Sequence, residues 1–183
     1  VNTLSIARSL TASSAAPFPS SQETVLCVRE AVAADAPAIH ALITEHIAEG
    51  HLLPRSLEEI RAHAHRFLVV TQDGRLAGCG ELAPLSAEVS EIRSLVVSPD
   101  VRSLGVGTAI IERLVQRAAN RGFDKLCAFT HEPSYFVHRG FSIVPHVWLP
   151  EKIVTDCHSC PHFRRCGQYA VVRALGQRRA LHG

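Results

Sequence analysis

The stretch SPDVRSLGVGTAIIERL, residues 98–114, restricts the fold of this chain more than any other. A β-rich run closes at Ser98-Pro99, glycines follow at 105 and 107, and an apolar helix pattern begins at once. Glycine costs about 1 kcal/mol in a helix interior relative to alanine. Two of them at a helix start therefore point to something that must come close to the backbone there. From Val106 to Arg121, apolar residues at 106, 110, 111, 114, 115 and 118 form one stripe of a long helix, which Gly122 closes.

Strand and helix patterns alternate on either side. VLCVREAV (25–32) predicts a first strand. Asp35 predicts an N-cap with Pro37 in the first turn of a helix running to about Glu49; Ile39, Leu42, Ile43 and Ile47 share its apolar face and Gly50 stops it. Ser56-Leu57-Glu58-Glu59 has the form of a capping box and predicts a second helix over about 57–66. FLVVTQDGRLAGCGEL reads as two strands joined at Asp73-Gly74, and SEIRSLVVSP as the strand that feeds the glycine turn. Beyond the long helix come a buried strand, DKLCAFT, a short helix, PSYFVHR, stopped by Gly140, a strand, FSIVP, and a last strand, QYAVVRAL. The order β-α-α-β-β-β-α-β-α-β, then one more strand, predicts a single α/β domain over 25–175, with helices on both faces of a mixed central sheet and a cysteine-bearing extension at 150–167.

The remaining segments and the charge balance narrow the function class. Residues 1–24 are rich in Ser, Ala and Pro and lack the apolar core of a secretory signal; they read as a disordered tail, with a transit peptide as the other option, and 176–183 as a second tail. Apolar residues make up 46% of 183, enough for one core. A formal net charge of +2 gives no case for a nucleic-acid partner. No run of 18 apolar residues occurs, so no membrane span is expected and a cytoplasmic location is. Of the 19 basic residues 17 are arginine, the better side chain for planar anions.

The glycine turn has two readings on spacing alone. The first amides of a helix have no partner inside it and its dipole is positive there, so residues 102–108 make an anion cradle to which Arg102 adds charge. Equally, the glycines can relieve a close packing contact in a tight turn. The stretch is neither a Walker loop nor G-x-G-x-x-G.

Arg102-x-x-Gly105-x-Gly107, preceded by LVVSPD and followed by an amphipathic helix, resembles the acetyl-CoA motif of the GNAT N-acetyltransferases. YFVHRGF (135–141) is similar to that family's helix-to-strand passage, and the resemblance covers roughly residues 26–146. It implies the GNAT fold, with Arg102, Ser103, Leu104, Gly105, Val106, Gly107 and Thr108 around the cofactor pyrophosphate, and Leu95, Val96 and Val97 on a splayed strand beside the pantetheine arm. HLLPRSLEEI, EIRSLVVSPDVR, FVHRGF and LPEKIVTDCHSCPHFRRC resemble, within that family, the short-form N-acetylglutamate synthases. The reaction implied is acetyl transfer from acetyl-CoA to the α-amine of L-glutamate, at the start of arginine biosynthesis. The open rivals are another amino acid, a polyamine or a protein N-terminus as acceptor, and a non-catalytic acyl-CoA-binding adaptor. A homodimer is also left open.

The resemblance assigns Glu91 as the base that takes the amine proton. Its customary tyrosine acid falls at Phe136, with Tyr135 one position earlier, so Thr130 and Ser134 stand as the hydroxyl candidates. Arg55 matches the arginine bordering the substrate pocket of the synthases. Arg93 follows Glu91 by two residues, so the pleat turns it to the same face. Lys152, Arg164 and Arg165 are candidates for a second clamp. Cys27, Cys79 and Cys127 read as small core residues. Cys157, Cys160 and Cys166, with His158 and His162 near by, leave three options: a structural zinc site, reduced thiols packing a loop, or a redox-sensitive pair.

Overall fold

In the computed structural model, which describes residues 26–49, 52–160 and 162–176, the elements follow the expected order with one α-helix more, in the cysteine-bearing segment. The expected tail at 1–24, the expected tail at 176–183 beyond its first residue, and the helix stop at Gly50 lie outside those residues. Seven strands form one sheet in the order β1-β2-β3-β4-β5-β7-β6. They are β1 (Cys27–Glu30), β2 (Phe67–Gln72), β3 (Arg75–Pro84), β4 (Val89–Val97), β5 (Lys125–Thr130), β6 (Ser142–Val144) and β7 (Tyr169–Ala174). Every neighbouring pair is antiparallel except β4 and β5. Those two are parallel because α3 (Val106–Asn120) carries the chain from the end of one to the start of the other.

Alternation along the strands divides the core between two faces. Leu68, Val70, Ala77 and Leu82 pack under Ile110, Ile111 and Leu114 of α3. Phe67, Val69, Cys79 and Val96 face the other way, against Ile39, Leu42 and Ile43 of α1 (Ala36–Ile47) and Ile60 of α2 (Leu57–Ala62). A smaller cluster, Val89, Cys127, Leu149 and Ala170, continues that second face under α5 (Pro150–Thr155). The cysteine-bearing segment is thereby seated on the same face as α1 and α2, at the β5 end.

Local signals were met in part. Asp73 and Gly74 both have positive φ, 49° and 78°, as a two-residue hairpin turn needs. Ser56 Oγ accepts the Glu59 N–H at 3.1 Å, but the Glu59 carboxylate pairs with Arg55 at 2.8 Å instead of closing the box. Asp35 precedes α1 without capping it; its carboxylate takes the Val32 N–H at 2.8 Å and both Arg29 guanidinium nitrogens at 2.7 and 2.8 Å. The second helix ends at Ala62 and passes into a 3-10 turn, Ala64–Arg66, rather than running on.

Candidate active site

The opening in the sheet is built by β4. Its register with β5 runs only from Val89↔Lys125 to Ile92↔Ala128, whereas its register with β3 continues to Val97↔Gly78. From Arg93 to Val97 the β4 edge has parted from β5. A bulge accompanies the parting: Cys79↔Val96 and Glu81↔Arg93 place one more residue on β4 than on β3, and Ser94 there has φ 49°. A left-handed non-glycine residue costs about 1–2 kcal/mol, so surrounding contacts must hold it. One of them is Arg55, whose Nη1 donates to Ser94 Oγ at 3.2 Å.

Residues 102–108 lie at the head of this wedge. Gly105 takes φ 79° at the N-cap of α3, where a Cβ would be strained. The Ala109 N–H reaches Gly105 O at 2.9 Å, which leaves the Val106, Gly107 and Thr108 amides without an acceptor inside the helix. Gly107 has a different reason. The Tyr135 hydroxyl, from α4 (Pro133–Val137), comes so close that a Cβ at Gly107 would collide with it. Arg139 stacks 3.7 Å from the Tyr135 ring centre and donates to Tyr135 O and Thr108 Oγ1, tying α4 to the first turn of α3. Sequence reasoning set Tyr135 aside and did not single out Arg139. The Gly-x-Gly spacing was the available signal for a close approach, but it does not say by what. Arg102 is half exposed, its Nη2 on Glu49 at 2.9 and 3.1 Å and its Nε on Val97 O at 3.2 Å.

The titratable side chains gather on the opposite face. Glu91 is 3% exposed, and Arg93 is beside it as the pleat requires, with Nε 2.5 Å from Glu91 Oε2. Lys152 of α5 places Nζ 2.7 Å from Glu91 Oε1 and 2.8 Å from Asp156 Oδ2. Arg93 Nη2 donates to the same Asp156 oxygen, closing a quartet of two cations and two carboxylates. Lys152 Nζ also stands 5.2 Å from the centre of the Phe129 ring, at the end of β5. Next along the face, Glu81 is 1% exposed and accepts from Arg55 Nη1 at 2.9 Å. Burial works to lower the pKa of Arg93 and of Arg55, but the charges of Glu91 and Glu81 respectively, with hydrogen bonds to carboxylates, hold both above the ordinary arginine value. Glu81 and Asp156 were not among the expected site residues. A lone glutamate in a strand and a lone aspartate in a loop carry no signal until the fold sets them against Arg55 and Arg93.

The other expected residues are placed as follows. Thr130 Oγ1 accepts the Glu132 N–H at 3.0 Å, as a local turn, and keeps its own hydrogen to donate. Ser134 is exposed on α4, and Arg165 is exposed. Among the described residues, no group of three or more His, Cys, Asp or Glu side chains is placed to hold a metal ion. The zinc option for Cys157, Cys160 and Cys166 thus finds no support among the described residues: none of the three is in a disulfide, and they lie around two 3-10 turns, Cys157–Ser159 and Phe163–Arg165, with Cys166 exposed. Burial pushes the Cys157 thiol up, as do the neighbouring Cys166 and Asp156 charges.

Comparison with known proteins agrees with this geometry. A family model described as acetyltransferase (GNAT) family matches residues 35–141. An uncharacterized N-acetyltransferase of Chlorobaculum tepidum is 32% identical over 149 residues, covering 81% of this chain and 96% of that protein. An amino-acid acetyltransferase of Neisseria meningitidis is 33% identical over 140 residues, 75% of this chain and 32% of the relative. The N-acetylglutamate synthase of Neisseria gonorrhoeae, solved in complex with coenzyme A and N-acetyl-glutamate, aligns with a TM-score of 0.75 at 30% identity, over 85% of this chain and 36% of that one. The chain thus spans about a third of the length of the two Neisseria proteins. The matched segment contains β4, α3, β5 and α4, the elements that form the wedge and its head. The chain belongs to the GNAT acetyltransferase family.

Proposed function

We propose that this protein transfers the acetyl group of acetyl-CoA to the α-amine of L-glutamate, as an N-acetylglutamate synthase acting at the entry to arginine biosynthesis. The observation that carries this reading is the buried Glu91 carboxylate at the point where β4 leaves β5, between the cations Arg93 and Lys152. The likeness to the gonococcal synthase supports the choice of acceptor.

The residues fit acetyl-CoA on two counts. The amides of Val106, Gly107 and Thr108 are free for diphosphate oxygens, and the open β4 edge from Leu95 to Val97 offers backbone groups to the pantetheine amides. Ser103 and Leu104, exposed in the preceding turn, border the same cradle, and Arg102 can exchange Glu49 for a phosphate. Acetyl-CoA supplies the activated acetyl group. Glu91 takes the proton of the acceptor ammonium, directly or through water, and makes the amine a nucleophile. A proton must return to the departing thiolate, and Tyr135 joins Thr130 and Ser134 as a hydroxyl for that task; its phenol is the one held against Gly107. Arg55, Arg93 and Lys152 are the cations that the carboxylates of the acceptor would meet.

One observation favours a second reading. Each of these cations is already paired with a carboxylate of the protein, so the pocket has no excess positive charge for a dicarboxylate. Another small amine is then the acceptor. Steady-state acetylation across free amino acids and polyamines separates the two: a clear preference for glutamate supports the synthase, and equal rates with neutral amino acids sink it.

A further inference from the structure

Lys152 Nζ and Arg93 Nη2 converge on a single oxygen, Oδ2 of Asp156, while both oxygens of Glu91 are already engaged by the same two cations. The members of this quartet differ in how water reaches them. The side chains of Glu91, Lys152 and Arg93 are 4%, 14% and 22% exposed, and Asp156 is 34% exposed. Glu91 and Arg93 are fixed in β4, paired on both sides or next to a bulge. Asp156 stands just past the end of α5, a six-residue helix. Asp156 is thus the one of the two carboxylates that can leave without disturbing the sheet.

We propose that Asp156 holds the place of the acceptor's carboxylate, and that acceptor binding is an exchange in which an incoming carboxylate takes over Arg93 and Lys152 as Asp156 swings into solvent. This deepens the proposed function and rests on it: it names the acceptor as a carboxylate-bearing amine and Asp156 as a specificity-determining residue. The charge count is the physical reason. Two cations and two carboxylates make the quartet neutral, and trading one carboxylate for another keeps it so. An amine without a carboxylate, on displacing Asp156, would leave two half-buried cations facing Glu91 alone, which is costly. The exchange therefore admits amino acids and rejects simple alkylamines, although the resting pocket shows no surplus of positive charge. It also removes the objection that led to the second reading above. Lys152 keeps its place over Phe129 throughout, which holds the receiving cation at the mouth of the wedge.

The test is calorimetric titration of glutarate, a dicarboxylate with no amine, into the protein saturated with coenzyme A. Asp156→Asn removes the competing charge and should tighten glutarate binding by about tenfold, about 1.4 kcal/mol. Asp156→Glu keeps a competitor and should stay within about threefold of the wild type, and Lys152→Gln should weaken binding by at least about tenfold. The same variants are assayed for the KM of glutamate, with thermal melts to confirm folding. Equal or weaker glutarate binding in Asp156→Asn overturns the exchange. If that variant does not fold, Asp156→Ser takes its place under the same criterion, and undiminished binding in Lys152→Gln is also decisive against it. Should the wild type acetylate no amino acid while glutarate binding follows the predicted order, the glutamate assignment falls and the exchange stands. Should glutamate be acetylated and its KM not drop in Asp156→Asn, the exchange falls and the assignment stands.

Discussion

Removing the Arg55 side-chain charge tests whether the Glu81–Arg55 pair holds the acceptor face together. Glu81 is 1% exposed in the middle of β3, with Arg55 at 2.9 Å, and the Arg55 side chain is itself only 11% exposed. Arg55→Met therefore leaves a carboxylate buried without its partner, an arrangement that costs about 3–5 kcal/mol. The companion pair with Glu59, whose side chain is 43% exposed, adds no more than about 0.5 kcal/mol. Against a total stability of about 5–15 kcal/mol this is a large fraction, and for a domain of this size it lowers Tm by about 6–20 °C. Arg55→Met combined with Glu81→Leu removes both charges and should come back to within about 1–2 kcal/mol of the wild type. Urea unfolding of the wild type, both single variants and the double gives the cycle. The reasoning is refuted if Arg55→Met costs less than about 1 kcal/mol or if the double variant is no better than it. The recovered double variant still lacks the tether to Ser94 and the cation beside the pocket, so its KM for glutamate should remain raised while its fold is restored.

Glu91→Gln should cut turnover by about 100-fold or more while leaving coenzyme A affinity nearly unchanged, as single-turnover rates and a binding titration will report; equal activity would point to another base. Gly107→Ala drives a methyl group into the Tyr135 hydroxyl and should raise the KM for acetyl-CoA on the order of tenfold, measured in steady state. Burial pushes the Cys79 thiol up to about 12 and the Cys127 thiol up as well. Both are raised above their unfolded value of about 8.5, so their stabilising contribution is complete below that pH and is lost above it, by at most about 1.4 kcal/mol per pH unit for each thiol. Unfolding free energies between neutral and alkaline pH should show that slope, and Cys79→Ala should flatten it. In a thiol-reagent time course Cys27 and Cys166, both exposed, should react first, and Cys79 and Cys127 only on unfolding.

What the sequence disclosed divides along the distance over which each signal acts. The stripe of α3, its glycine entry and the Asp73-Gly74 hairpin are local patterns and appear where they were expected. Arg93 could be set beside Glu91 because a strand alternates with a period of two. Its other partner, Asp156, is 63 residues further along and no local pattern announces it. The parting of β4 from β5 is a matter of register between strands, and the left-handed residue that accompanies it is Ser94, not a glycine, so composition gave no warning. Helix α5 was missed because six residues, the first of them a proline, carry too little periodicity; Leu149, 1% exposed, is what anchors the segment. Cys157-x2-Cys160 looks like half a zinc site, but the spacing does not say where the third thiol goes; the fold carries Cys166 past a second 3-10 turn, Phe163–Arg165. Resemblance, rather than spacing, tipped the glycine turn towards a cofactor cradle.

The central claim is that the unpaired amides at the start of α3 and the open edge of β4 hold coenzyme A. Calorimetric titration of coenzyme A into the wild type and into Gly107→Ala measures this directly. We predict saturable one-to-one binding to the wild type, weakened on the order of tenfold by the added methyl group. Absence of binding to the folded wild type at two temperatures, or equal affinity in the two proteins, would contradict it.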